Sequence, residues 1–126
     1  MGRYLCVLAG GGLGSLARYL LGRAVLQRFP NAMFSWGTFA VNVTGSFLIG
    51  LLMTLLAERW KVSSPYLQLL LVTGFLGGYT TFSSFEYDGY LSARAGHHLT
   101  AFLYVAGSVV VGFGAVGLGA WLAARK

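Results

Sequence analysis

The chain has 126 residues, 56% of them hydrophobic and only 10% charged, where a soluble domain carries about a quarter charged residues. That composition excludes an ordinary soluble domain and describes an integral membrane protein. The net charge of +6 arises because only three acids, Glu58, Glu86 and Asp88, stand against nine Lys and Arg, and those bases lie singly at segment ends rather than in a nucleic-acid-binding stripe.

Four segments are long enough to cross a bilayer, which takes roughly 20 residues as helix. They run over about 4–26, 36–57, 66–92 and 98–124. Together they predict an all-α membrane protein, a single four-helix transmembrane domain over residues 1–126. The connectors are short and polar: Gln27 to Ser35 with Pro30, Glu58 to Pro65 with Lys61, and Ala93 to His97. Trp36, Trp60, Tyr66 and Trp121 fall near segment ends, where amphipathic rings favour the membrane interface. Arg3, Arg59, Lys61, Arg125 and Lys126 gather on the side of the termini, against Arg28 and Arg94 on the other, with Arg23 near the boundary. That is a modest positive-inside bias, compatible with insertion in either direction.

The first segment carries Gly10, Gly11, Gly12, Gly14 and Gly22, and the third carries Gly74 and Gly78. Gly10/Gly14 and Gly74/Gly78 are G-x-x-x-G pairs that let helices approach closely in lipid. Four short helices enclose little interior, so the expected state is a homo-oligomer. Cys6 is alone, which excludes a disulfide framework or metal cluster within one chain.

In the second segment Thr38 and Asn42 are four apart, on one helical face. An amide at membrane depth is costly unless bonded, so this face points at a partner helix or a polar pathway. In the fourth segment Tyr104 and Ser108 repeat the spacing, with Gly112 continuing the face. Each strip alone reads as interhelical packing; the two together read better as a lined pathway. Arg18 is the one base well inside a span, placed to snorkel or to draw anions into a vestibule.

The third segment departs furthest from its surroundings. After the apolar run Tyr66 to Phe75 it continues Leu76-Gly77-Gly78-Tyr79-Thr80-Thr81-Phe82-Ser83-Ser84-Phe85. Two glycines and a hydroxyl cluster there predict a helix broken near its middle. Backbone released from helical bonding at bilayer depth is tolerated only where protein, an ion or water satisfies it, and broken helices build ion sites from their freed carbonyls and N–H groups. Phe82 and Phe85, three apart directly after the break, share a face. Their partly positive ring edges, beside the hydroxyls of Ser83 and its neighbours, suit a small anion.

These motifs resemble the CrcB/Fluc family of small fluoride channels. The resemblance lies in Gly11 to Tyr19, in Trp36-Gly37-Thr38-Phe39-Ala40-Val41-Asn42 with Gly45, and in Gly74 to Phe85. It covers most of the first three spans, while Tyr104 and Ser108 support it in the fourth. It implies an antiparallel, dual-topology homodimer with two pores in the inner (plasma) membrane. Fluoride would leave the cytoplasm passively, which confers resistance to its toxicity. It implies Phe82, Phe85 and Asn42 as main pore residues, Thr38, Ser83, Tyr104 and Ser108 as polar lining, and the carbonyls of Gly77 and Thr80 as ligands of a structural Na⁺ between two copies. Glu86 stands where many relatives carry a small hydroxyl residue.

Two other readings stay open. A dual-topology proton-coupled exporter needs a titratable acid in a span, and the first, second and fourth segments have none. A structural subunit of a larger membrane complex would leave the two polar strips unexplained. No nucleophile–base pair, carboxylate pair or metal-ligand cluster stands at a spacing that suggests an enzyme.

Overall fold

The computed structural model describes residues 1–59 and 65–125. Trp60, Lys61 and Lys126, counted above as interfacial or orienting residues, lie outside the described residues, as does the side chain of Arg59. Among those described, all regular structure is helical. Helix α1 is Gly2–Arg28. Helix α2 is Trp36–Thr54 and ends in the wider π turn Leu55–Arg59. Helix α3 occupies 65–79, opening as Pro65–Gln68, widening to a π-helix over Leu69–Leu76 and closing as Gly77–Tyr79. Helix α4 is Ser83–Arg94 and α5 is His98–Ala124.

Local chemistry sets the ends. Pro30 disfavours helical backbone at the residue before it, and Phe29 accordingly closes α1 at φ −130°. Between α4 and α5, Gly96 adopts φ 86°, His97 N–H reaches the Ser92 carbonyl and Gly96 N–H that of Ala93, both at 3.0 Å. This is a Schellman close, which requires a residue tolerant of the left-handed region. It turns α5 back against α4.

Three helices, Gly2–Arg28, Trp36–Glu58 and His98–Ala124, are long and apolar enough to cross a membrane. The third sequence segment is divided instead. Helical backbone runs to Tyr79, Thr80 takes extended geometry at φ −77° and ψ 161°, and helix resumes at Ser83. The interruption therefore lies at Thr80–Phe82, two residues beyond the Gly77-Gly78 pair, which is helical.

The glycines serve packing. The G-x-x-x-G pairs of α1 and α3 meet each other: a Cβ on Gly10 would overlap the Leu70 carbonyl, one on Gly14 the Phe75 carbonyl, and one on Gly78 the Gly11 carbonyl. Helices α2 and α5, the most extensively packed pair, close in the same way, Gly50 against Val116 and Gly119 against Phe47. These seams lie within one protomer, so the glycine pairs are not left over for a second copy. The core is thin, with Val41, Leu76, Tyr79, Phe85 and Tyr104 among its buried members, while large apolar groups such as Phe102, Val110 and Phe113 face outward. Outward apolar side chains are what a helix bundle presents to lipid.

The seam makes a direct contrast measurable. Gly14→Ala would force α1 away from Phe75 and is expected to cost about 1–3 kcal/mol, the range for overpacking. Gly12→Ala, with nothing within 4 Å of its Cβ position, is expected to be neutral or slightly stabilising. The fraction surviving a detergent heat challenge as a monodisperse species reads the difference; equal survival of the two variants would contradict the packing described.

Candidate functional site

The interruption is held by one turn of α2. Before it, the hydroxyls of Thr44 and Tyr79 lie 2.7 Å apart, and Thr80 directs both its N–H, at 3.0 Å, and its hydroxyl, at 2.9 Å, to the Leu76 carbonyl. At its centre, Asn42 grips Thr81: Nδ2 donates to the Thr81 carbonyl and Thr81 N–H donates to Oδ1, each at 2.9 Å. Thr81 Oγ1 then accepts from Ser84 N–H at 3.4 Å and donates to Ser84 Oγ at 3.0 Å, occupying one of the free donors in the first turn of α4. Gly45 leaves room for Thr80, whose methyl group a Cβ there would overlap.

The carbonyls of Gly77 and Thr80 are among those that lose their helical partners through this arrangement. A continuous helix would aim Thr81 N–H at the Gly77 carbonyl and Ser84 N–H at the Thr80 carbonyl. Those N–H groups instead bind Asn42 Oδ1 and Thr81 Oγ1. Asn42 has two amide N–H groups, and the clamp uses one.

Two cavities flank the clamp, and Thr81 borders both. One, of about 510 Å³, is lined by Arg18, Phe34, Trp36, Thr38, Ser84 and Asp88 among others. The other, of about 370 Å³, includes Asn42, Gly45, Ser46, Gly77, Thr80 and Phe82.

The sequence-predicted residues are only partly brought together. Thr38 and Asn42 share their face of α2 but bind different partners, since Thr38 Oγ1 donates to Asp88 Oδ2 at 2.7 Å. Tyr104, 2% exposed, donates its hydroxyl to the same oxygen at 3.5 Å. Asp88 is thus a member of the site that sequence reasoning left without a role; an acid inside a span is itself a functional signal. Phe82 and Phe85 lie with ring centroids 6.0 Å apart at 42°. Phe85 is buried against Tyr104, centroids 5.3 Å apart, whereas Phe82 is 70% exposed. Ser108 Oγ is buried without a hydrogen-bond partner and does not join the Asp88 cluster. Ser83 is exposed on α4. Among the described residues, no group of three or more His, Cys, Asp or Glu side chains converges as a metal site.

Long apolar helices around a polar interruption make this a multi-pass helical membrane protein. Residues 5–120 match the family described as CrcB-like protein, Camphor Resistance (CrcB). Relatives at high coverage carry one name, "Fluoride-specific ion channel FluC". The protein of that name from Solibacter usitatus is 54% identical over 98% of this chain and 99% of its own length. Those from Hydrogenobaculum and Gloeothece citriformis are 48% and 47% identical, with at least 94% of each chain covered. The chain belongs to the CrcB family.

Proposed function

We propose that the chain is a fluoride-selective channel of the inner membrane that lets cytoplasmic fluoride leave passively and so confers resistance to it. The carrying observation is the Asn42–Thr81 clamp, which holds backbone open beside Phe82 and Phe85. The names of relatives that cover at least 94% of the chain agree with it.

Fluoride is small and strongly hydrated, so a pathway must replace its water with donors. The second Asn42 N–H, the hydroxyls of Ser83 and Ser108, and the ring edges of Phe82 and Phe85 supply partial positive charge, while Thr38 and Tyr104 line the path with their hydroxyl protons on Asp88. No full cation is needed in the narrow part, which keeps binding weak enough for release. Arg18, in the larger cavity, raises the local anion concentration at its mouth. The carboxylate of Asp88 opposes an anion, and the hydroxyls donated by Thr38 and Tyr104 draw its charge to one wall. The divided third segment serves as the fourth crossing, its open backbone tolerated because it lines a polar path.

One protomer leaves that path open on one side. Phe82 and the carbonyl-bearing turn of Gly77 and Thr80 border the smaller cavity, and the Phe82 side chain is 70% exposed. An antiparallel homodimer, two inverted copies related by a twofold axis, closes it and creates two equivalent pores. The Gly77 and Thr80 carbonyls, freed of their helical N–H partners, fit a structural Na⁺ at that axis, since hard cations take oxygen ligands and freed carbonyls of broken helices supply them. The ion would lend fixed positive charge and join the two interruptions. Replacing Na⁺ by a bulky organic cation is expected to lower Tm by about 5 °C, a binding-linkage effect; an unchanged Tm would remove the cation from the account.

Liposomes loaded with fluoride and chloride, fitted with ion-selective electrodes, test the function itself. Rapid fluoride release with chloride retained is expected. Release no faster than from protein-free vesicles would overturn the reading, and proton-coupled uptake of a cationic dye would replace it with an exporter.

A further inference from the structure

One aromatic side chain near the site has no part in the pathway described so far. Phe34 stands on the connector between α1 and α2, the only non-helical wall of the 510 Å³ cavity apart from the interruption itself. Its ring lies 4.3 Å from that of Trp36 and 5.4 Å from that of Phe39. It meets Tyr104 edge to face, centroids 5.1 Å apart at 88°. Tyr104 is in turn flanked by Phe85, which adjoins Phe82. Five rings therefore run in unbroken contact from Trp36 at the mouth, through Phe34, Tyr104 and Phe85, to Phe82 at the interruption.

We infer that Phe34 is a positioning residue of the anion pathway, acting through Tyr104. The Tyr104 hydroxyl reaches Asp88 Oδ2 at 3.5 Å, the outer limit of a hydrogen bond, so a small swing of the ring breaks it. On the α4 side the ring is fixed by Phe85. On the connector side it is fixed by Phe34. Without that edge-to-face contact the tyrosine turns away, Thr38 alone holds Oδ2, and the carboxylate is freer to swing further into the cavity that it lines and the anion crosses. The inference rests on the fluoride-channel reading above.

The test is fluoride efflux from liposomes in two backgrounds. Phe34→Leu, which keeps bulk and loses the ring, is expected to slow efflux about fivefold, within the range of one aromatic contact. Phe34→Tyr, which keeps the ring, is expected to stay near wild type. In a Tyr104→Phe background, where no hydroxyl is left to position, Phe34→Leu is expected to cause no further loss. Efflux unchanged by Phe34→Leu, or slowed by the same factor in both backgrounds, would overturn the inference, the second result marking Phe34 as packing alone. Phe34→Met takes the place of the leucine variant if that variant does not elute as the wild type does. Absence of fluoride efflux from the wild type would instead strike at the channel reading, which separates the two failures.

Discussion

Phe82→Ile is expected to reduce fluoride efflux at least tenfold while leaving assembly and folding intact. The side chain is 70% exposed in the protomer, so little of the protomer's own packing rests on it, and against a second copy a hydrophobic swap of similar bulk costs less than about 1.5 kcal/mol. Isoleucine retains most of the apolar bulk and removes the ring edge. A tenfold fall in rate needs only about 1.4 kcal/mol at the barrier, and an aromatic contact is worth roughly 0.5–1.5 kcal/mol before any gain from dehydration. A dehydrated anion loses more than a neutral ring would, so tenfold is a lower bound. Phe113→Ile supplies the comparison: Phe113 is 83% exposed on the outer face of α5 and borders neither cavity described, so its efflux should match the wild type. Equal rates for Phe82→Ile and Phe113→Ile in the electrode assay, at matched protein content, would remove the ring from the pathway.

Asn42→Ala is expected to abolish efflux and, unlike the phenylalanine change, to alter the backbone. It strips both partners from the Thr81 peptide. Each unsatisfied polar group costs about 1–3 kcal/mol when buried, so the interruption loses most of what keeps it open. The nearest alternative acceptor for Thr81 N–H along the chain is the Gly77 carbonyl, four residues back. Closing that bond extends α3 by helical continuation and withdraws the carbonyl from any cation. The variant should therefore lose the Na⁺-dependent part of its Tm together with its efflux. Asn42→Asp keeps the shape, but turns a carboxylate oxygen toward the Thr81 carbonyl and places negative charge in an anion's path; it should be equally inactive. An Asn42→Ala protein that conducts, or that keeps its response to Na⁺, would show that the clamp is incidental.

The sequence made the long elements plain because their signal is local. Apolar runs bounded by Pro30 and by the polar turn at Gly96 correspond to α1, α2 and α5 within a few residues. The location of the interruption was less legible. Glycine serves either close packing or loose backbone, and nothing local distinguishes Gly78 seated against Gly11 from a glycine that ends a helix. The G-x-x-x-G pairs signalled close helix approach without naming the helices, and the contact they make joins α1 to α3.

Spacing of four rightly put Thr38 and Asn42 on one face. Their partners were out of reach, since the Asn42–Thr81 contact is 39 residues apart in sequence and Thr38–Asp88 is 50. Asp88 had no visible role because its two donors sit on two other helices. Phe82 and Phe85 differ in burial because Phe82 precedes the first turn of α4 and projects away from the bundle.

Thr81 borders both cavities, and one carboxamide bonds the N–H and the carbonyl that flank its Cα. The planar amide of Asn42 thereby closes a ring across both backbone torsions of Thr81, so the partition between the cavities resists twisting in the way a buckled strap resists turning.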